Sequence, residues 1–111
     1  MPARTVVLSP LAEADLSGIA AWTAANFGER QATAYIDAII TTIEELSAHQ
    51  PHPRSKQRDE IAPGIRSLHM AKRGRRGRHL ILYLEDQDAL TILRILHDSM
   101  ELSRHLPVNE E

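Results

Sequence analysis

The apolar pattern of this chain changes period once, across His49-Gln50-Pro51-His52-Pro53, and that change limits the fold more than any other feature. Upstream, apolar residues recur at spacings of three and four, as in helices with one buried face. Downstream they run in short aliphatic blocks bounded by glycine or acidic turns, as in strands. Helices followed by strands predict an α+β domain with segregated layers rather than alternating βαβ units.

Local signals place the elements. Arg4 to Leu8 reads as a short strand that stops at Ser9-Pro10, an N-cap followed by proline at the first helical position. Ala12, Leu16, Ile19, Ala20, Thr23 and Phe27 then form one face of a helix ending near Asn26, with Gly28 as breaker. Ala32, Tyr35, Ile36, Ile39, Ile40, Ile43 and Leu46 form the face of a second helix, so the two make an antiparallel hairpin that the prolines terminate. Residues 50 to 64 read as loop. Ile65–Ala71, His79–Glu85 and Leu90–Leu96 read as a three-strand meander, the last two strands apolar on both faces and therefore central. Ser99 to His105 fits a short terminal helix. The expected architecture is β-α-α-β-β-β, an antiparallel sheet with the helical hairpin on one face, in a single domain spanning 1–111 whose core covers about 4–106 and whose tail, 107–111, is frayed. Local cues leave open where the first strand joins the sheet.

Composition removes several function classes. There are no cysteines, hence no disulfide scaffold, thiolate zinc site or cysteine nucleophile. No run reaches the roughly 18 apolar residues of a membrane span, and the amino terminus shows no signal-peptide core, so a cytoplasmic protein is expected. The net charge of -2 hides a polar division. Residues 10 to 50 carry six acids against Arg30 alone, whereas residues 54 to 79 carry nine bases against Asp59 and Glu60. A basic half of that kind suits an acidic partner.

Few residues suggest chemistry. His49 and His52 straddle a proline with no further ligand nearby, and read as helix-end and loop histidines rather than a metal pair. Ser9 is explained as a cap. The turn Ala71 to Arg78, AKRGRRGR, joins two strands and matches no phosphate loop; its arginines suit phosphates or carboxylates equally. Arg94 lies inside an apolar strand, where a charge needs solvent or a partner. Simple alternation puts Ile92, Arg94 and Leu96 on one face and Leu93, Ile95 and His97 on the other. With the second set under the helices, Arg94 is expected on the open face and His97 at the rim, with Asp98 orienting it.

The element order, the opening LSPLAEADLSGIAAWTAANFG, the strands GIRSLHM and LILYLE, and above all ILRILHDSMELSRHL resemble ParE-type toxins of the RelE/ParE superfamily over roughly residues 4 to 106. The resemblance implies the toxin of a type II toxin-antitoxin module, acting in growth inhibition and in plasmid or chromosomal stability. It further implies neutralisation by a ParD-like antitoxin that wraps the toxin in a hetero-oligomer, and inhibition of DNA gyrase by the freed toxin. DNA contact would come only through the antitoxin; no cofactor, metal or membrane is implied. The residues expected to meet antitoxin or target are Arg66, Lys72, Arg73, Arg78, Arg94, His97, Met100 and Arg104, with the tail after Leu96 as the main target contact. The same superfamily contains ribosome-dependent messenger-RNA nucleases, the alternative reading, whose candidate catalytic set here is Lys72, Arg73, Arg78, Arg94 and His97. Against it, Asp98-Ser99-Met100 stands where those enzymes resemble one another in an arginine, and the tail offers Arg104 and His105 but no tyrosine.

Overall fold

The computed structural model describes residues 4–49, 51–70 and 77–99. Strand β1 (Thr5–Leu8) leads into helices α1 (Pro10–Phe27) and α2 (Glu29–Ala48), followed by β2 (Lys56–Gln57), β3 (Arg66–His69), β4 (His79–Glu85) and β5 (Ala89–His97). The strands form one sheet in the order β1-β5-β4-β3-β2. The expected α+β order is present with two differences. The sheet is mixed rather than wholly antiparallel, because β1 runs parallel to β5, and the loop expected at 50–64 contains the two-residue strand β2 at the other edge. The terminal helix expected from Ser99, and the tail at 107–111, lie outside the described residues beyond Ser99.

Helix boundaries follow local chemistry. Ser9 Oγ accepts the Ala12 N–H at 3.0 Å, satisfying one orphan donor of α1 behind Pro10. Gly28, at φ +95°, donates its N–H to Ala24 O and accepts from the Ala32 N–H, so one residue closes α1 and opens α2. The hairpin covers one sheet face, where Ile39, Ile43 and Leu46 meet Leu68, Ile81, Tyr83, Ile92 and Ile95. Two residues assigned to the buried faces by periodicity are exposed: Phe27 at the last turn of α1, and Ile40 on the flank of α2.

The opposite face carries a second apolar cluster, Ile65, Leu80, Leu82, Leu93 and Leu96, against which Ile61 and Ala62 of the β2–β3 connection pack. Strands β4 and β5 are therefore apolar on both faces, as expected of central strands, and a loop of this chain covers part of the second face.

Simple alternation fails along β5. Ile95 pairs with Ile81 and Arg94 with Leu82, but Tyr83 pairs with Ile92, leaving Leu93 as an extra residue. This β-bulge puts Ile92 and Ile95 on the same, helix-facing side and sends Leu93 and Leu96 to the other. Strand β1 ends opposite Ile92, and α1 takes over the exposed β5 edge beyond it. Ser9 donates its N–H to Ile92 O at 3.0 Å and its hydroxyl to Leu93 O at 2.7 Å, while Asp15 Oδ2 accepts the Ile95 N–H at 2.9 Å. The backbone groups freed by the bulge are thus satisfied by the first turns of α1.

A second clamp ties the far ends together. Helix α2 has no basic residue in its last turn, and Arg4 supplies one from β1's approach. Its guanidinium donates to Leu46 O, Ser47 O and His49 O, and pairs with Glu85 Oε1 at 2.7 Å. The side chains of Arg4 and Glu85 are 6% and 9% exposed, and Arg66 stands 3.8 Å from the other Glu85 oxygen.

Candidate binding cleft

Three histidines occupy neighbouring strand ends: His69 closes β3, His79 opens β4 and His97 closes β5. The antiparallel register pairs His79 with His97 and His69 with Leu80. Cross-strand partners share a face, so His79 and His97 lie on the helix side while His69 lies with Leu80 on the other.

On the helix side, Tyr35 of α2 comes down onto the strand end, and its hydroxyl stands 2.8 Å from His79 Nδ1. The His79 and His97 rings meet edge to face at 5.4 Å. Burial, followed by the neighbouring His97, pushes the His79 imidazole below its ordinary value, and burial pushes the Tyr35 phenol up. A neutral imidazole against a protonated phenol is the resulting resting state. His97 Nδ1 lies 2.7 Å from Ser99 Oγ and accepts the Ser99 N–H at 3.2 Å, which places the proton of the neutral ring on Nε2. Gly77 permits this approach: a Cβ there would lie 2.9 Å from Met70 Cβ and 3.0 Å from the Tyr35 hydroxyl.

On the other side, Asp98 Oδ2 stands 2.8 Å from His69 Nε2, and Asp98 Oδ1 pairs with Arg78 at 3.3 Å. The hydrogen bond from His69, then that from Arg78, holds the Asp98 carboxyl below the usual range. Asp98 therefore serves His69 and Arg78; its approach to His97 is 3.7 Å, longer than a hydrogen bond. The expectation that Asp98 orients His97 gives way to a Ser99 contact, because adjacent strand residues point to opposite faces.

Between α1 and these strand ends runs an open cleft of about 940 Å³. Ala14, Gly18 and Trp22, spaced by four, form its helical wall, and a Cβ on Gly18 would meet nothing within 4 Å. Trp22 and Phe27, 60% and 63% exposed, stack edge to face at 5.8 Å at one end. Tyr35, Arg78, His79, His97 and Ser99 close the other. Mostly apolar walls with a few convergent polar groups are the usual composition of a binding site.

The residues proposed from sequence do not gather in one place. Arg78 and His97 line the cleft. Arg66 lies at the opposite end of the sheet, bonded to Ser55 Oγ through Nε and Nη2. Arg94 shares a face with its cross-strand partner Leu82, away from the hairpin as expected, but it is not open there: its Nε and Nη2 each reach an Asp15 oxygen at 2.8 Å, a bidentate pair whose side chains are 15% and 14% exposed. Helix α1, which takes over the β5 edge where β1 ends, brings Asp15 to it. Lys72, Arg73, Met100 and Arg104 lie outside the described residues. Sequence reading missed His79, hidden at the head of an apolar run, Tyr35, counted as core, and Trp22. The signal for Trp22 was available: it lies off the stripe formed by Ala12, Leu16, Ile19 and Thr23.

His49 caps the carboxyl end of α2, and buried His52 accepts the Arg54 N–H at Nδ1, as expected of structural histidines. Among the described residues no group of three His, Asp or Glu side chains is placed to hold a metal, and no helix is long and apolar enough to cross a membrane.

Fold and cleft together define a small α+β domain with a large, mostly apolar concave surface between its first helix and its strand ends. The family model described as "ParE toxin of type II toxin-antitoxin system, parDE" matches residues 6–102, nearly the whole chain, and the protein belongs to that family. A solved structure titled "Chromosomal ParDE TA system from P. aeruginosa" superposes with a TM-score of 0.67 at 22% identity, covering 85% of this chain and 95% of that one. No curated protein matches by sequence.

Proposed function

We propose that this ParE-family toxin inhibits DNA gyrase by protein–protein binding and is neutralised by a cognate ParD-like antitoxin in a hetero-oligomeric complex, both acting in the cytoplasm, with DNA contacted only through the antitoxin. The observation that carries this reading is the aromatic-walled cleft on a ParE-family fold, a surface suited to recognition by shape. The arrangement of charge also favours binding over phosphoryl chemistry. Arg94 is bonded to Asp15 and Arg78 to Asp98, so carboxylates already sit beside both of the described arginines in the alternative catalytic set.

The test is a supercoiling assay with purified toxin. Gyrase should lose supercoiling activity or accumulate cleaved DNA, messenger RNA on translating ribosomes should stay intact, and co-expression of the neighbouring antitoxin gene should restore growth. Gyrase unaffected at saturating toxin would remove the proposal, and message cleavage would replace it with the nuclease reading.

A further inference from the structure

We infer that the cleft between α1 and the ends of β4 and β5 is a proton-coupled docking site for an acidic amphipathic peptide segment, whose apolar side chains seat against Trp22 and Phe27 and whose carboxylate meets the imidazole Nε2 groups of His79 and His97. This deepens the antitoxin reading and rests on it.

Three observations carry the inference. First, among the described residues the two imidazoles spend only one nitrogen each in hydrogen bonds: His79 Nδ1 is held by the Tyr35 hydroxyl and His97 Nδ1 by Ser99, which leaves both Nε2 positions to a ligand. With Nδ1 accepting, each neutral ring carries its proton on Nε2 and offers a donor. Second, Arg78 lines the same cleft; Asp98 engages one side of its guanidinium at 3.3 Å, and with 71% of the side chain exposed its other N–H groups can still donate to a carboxylate. Third, the opposite end is two exposed aromatic rings at van der Waals stacking range, which an apolar side chain would desolvate. An anionic group at one end and apolar groups at the other describe one face and one edge of an amphipathic segment. A nucleic-acid backbone fits less well, because the wall of Ala14, Gly18, Ile19 and Trp22 offers nothing to a succession of phosphates.

The proton coupling follows from the surroundings of His79. Tyr35 faces it from α2, His97 from the end of β5 and Asp98 from just past it, His69 from β3, Asp15 from α1, and Arg78 precedes it. The ring is neutral at pH 7 because burial and His97 disfavour its charge. A carboxylate at Nε2 reverses that balance, and the Tyr35 oxygen can accept the new Nδ1 proton. Binding therefore takes up about one proton, on His79, and affinity rises by up to about tenfold per pH unit as pH falls between the bound and free values.

The experiment titrates full-length toxin with the full-length antitoxin encoded beside it, at pH 6.0, 7.0 and 8.0. Trp22 is the only tryptophan in the toxin and reports cleft occupancy by fluorescence, read with an antitoxin variant lacking tryptophan. Binding should change Trp22 emission and should tighten about tenfold from pH 8.0 to 6.0 in the wild type. In His79→Gln the pH dependence should flatten, and in His97→Gln affinity should fall at all three values with the slope retained; circular dichroism verifies that each variant is folded. An antitoxin that binds tightly without moving Trp22 emission, or with no pH slope, overturns the inference while leaving the antitoxin reading intact. No binding at any pH removes the antitoxin reading itself. Displacement of the antitoxin from the cleft by a single-stranded oligonucleotide would assign the site to nucleic acid instead.

Discussion

Removing the Arg94–Asp15 pair should weaken the fold before it weakens any partner contact. The pair is bidentate, with both oxygens engaged at 2.8 Å, and Asp15 Oδ2 also accepts the Ile95 N–H at 2.9 Å. Exposed ion pairs contribute about 0–1 kcal/mol and breaking a buried one costs about 3–5 kcal/mol. At 15% and 14% exposure this pair belongs nearer the second figure, so Arg94→Ala should cost about 2–3 kcal/mol. Asp15→Ala should cost more, about 3–4 kcal/mol, because it also strips the acceptor from a backbone N–H at the bulge. The double variant should fall short of the sum, with a coupling of about 1–2 kcal/mol. Urea unfolding followed by circular dichroism measures all four corners of the cycle. Antitoxin affinity of the folded Arg94→Ala protein should remain within about twofold, a margin below 0.5 kcal/mol. An Arg94→Ala variant of wild-type stability that no longer binds antitoxin would refute the argument and restore Arg94 as a contact residue.

Two other outcomes follow from the same geometry. Arg4→Met should destabilise the protein by about 3 kcal/mol in urea unfolding, since it leaves nearly buried Glu85 with the 3.8 Å contact to Arg66 and takes the guanidinium donors from the α2 terminal carbonyls, two of which keep a backbone N–H; a loss under about 1 kcal/mol would mean that the clamp is dispensable. The free toxin should lose stability as pH falls below 6.5. His79 is held below its ordinary value in the fold, so the unfolded chain binds more protons there, and stability present above 6.5 declines as pH drops through the folded value. Thermal melts of wild type and His79→Gln between pH 7.5 and 5.5 should diverge, the variant changing less; parallel curves would count against this assignment.

The elements with local punctuation were readable from sequence. Ser9-Pro10, Gly28 and the two prolines set the helix boundaries to within a residue or two, and the aliphatic runs located β4 to a residue, because caps and breakers act on their own neighbours. What depended on distant chain segments was not readable. The parallel pairing of β1 with β5 joins residues more than 80 positions apart, and the bulge at Leu93 exists only relative to β4's register. The run of α1 along the β5 edge turned the strongest site candidate, Arg94, into half of an ion pair with Asp15, and the pairing of β4 with β5 brought His97 beside His79. Of the cleft, sequence offered Arg78 and His97, and Trp22 by its place off the apolar stripe; Phe27 and Tyr35 required knowing which side of each helix the sheet leaves uncovered.

Ser9 has a consequence beyond its two hydrogen bonds. One hydroxyl is shared between the start of α1 and the carbonyl of the bulged residue, and Asp15 repeats the attachment four residues past the second helical position. The wall of the cleft and its floor are therefore riveted at two adjacent points, with no hinge between them. A receptor of fixed width leaves the ordering entropy of complex formation almost wholly to the incoming segment. Tight binding would then depend on how nearly that segment is helical before it arrives, and the half-life of the complex could be tuned by helix propensity in the partner without altering a single residue of the toxin.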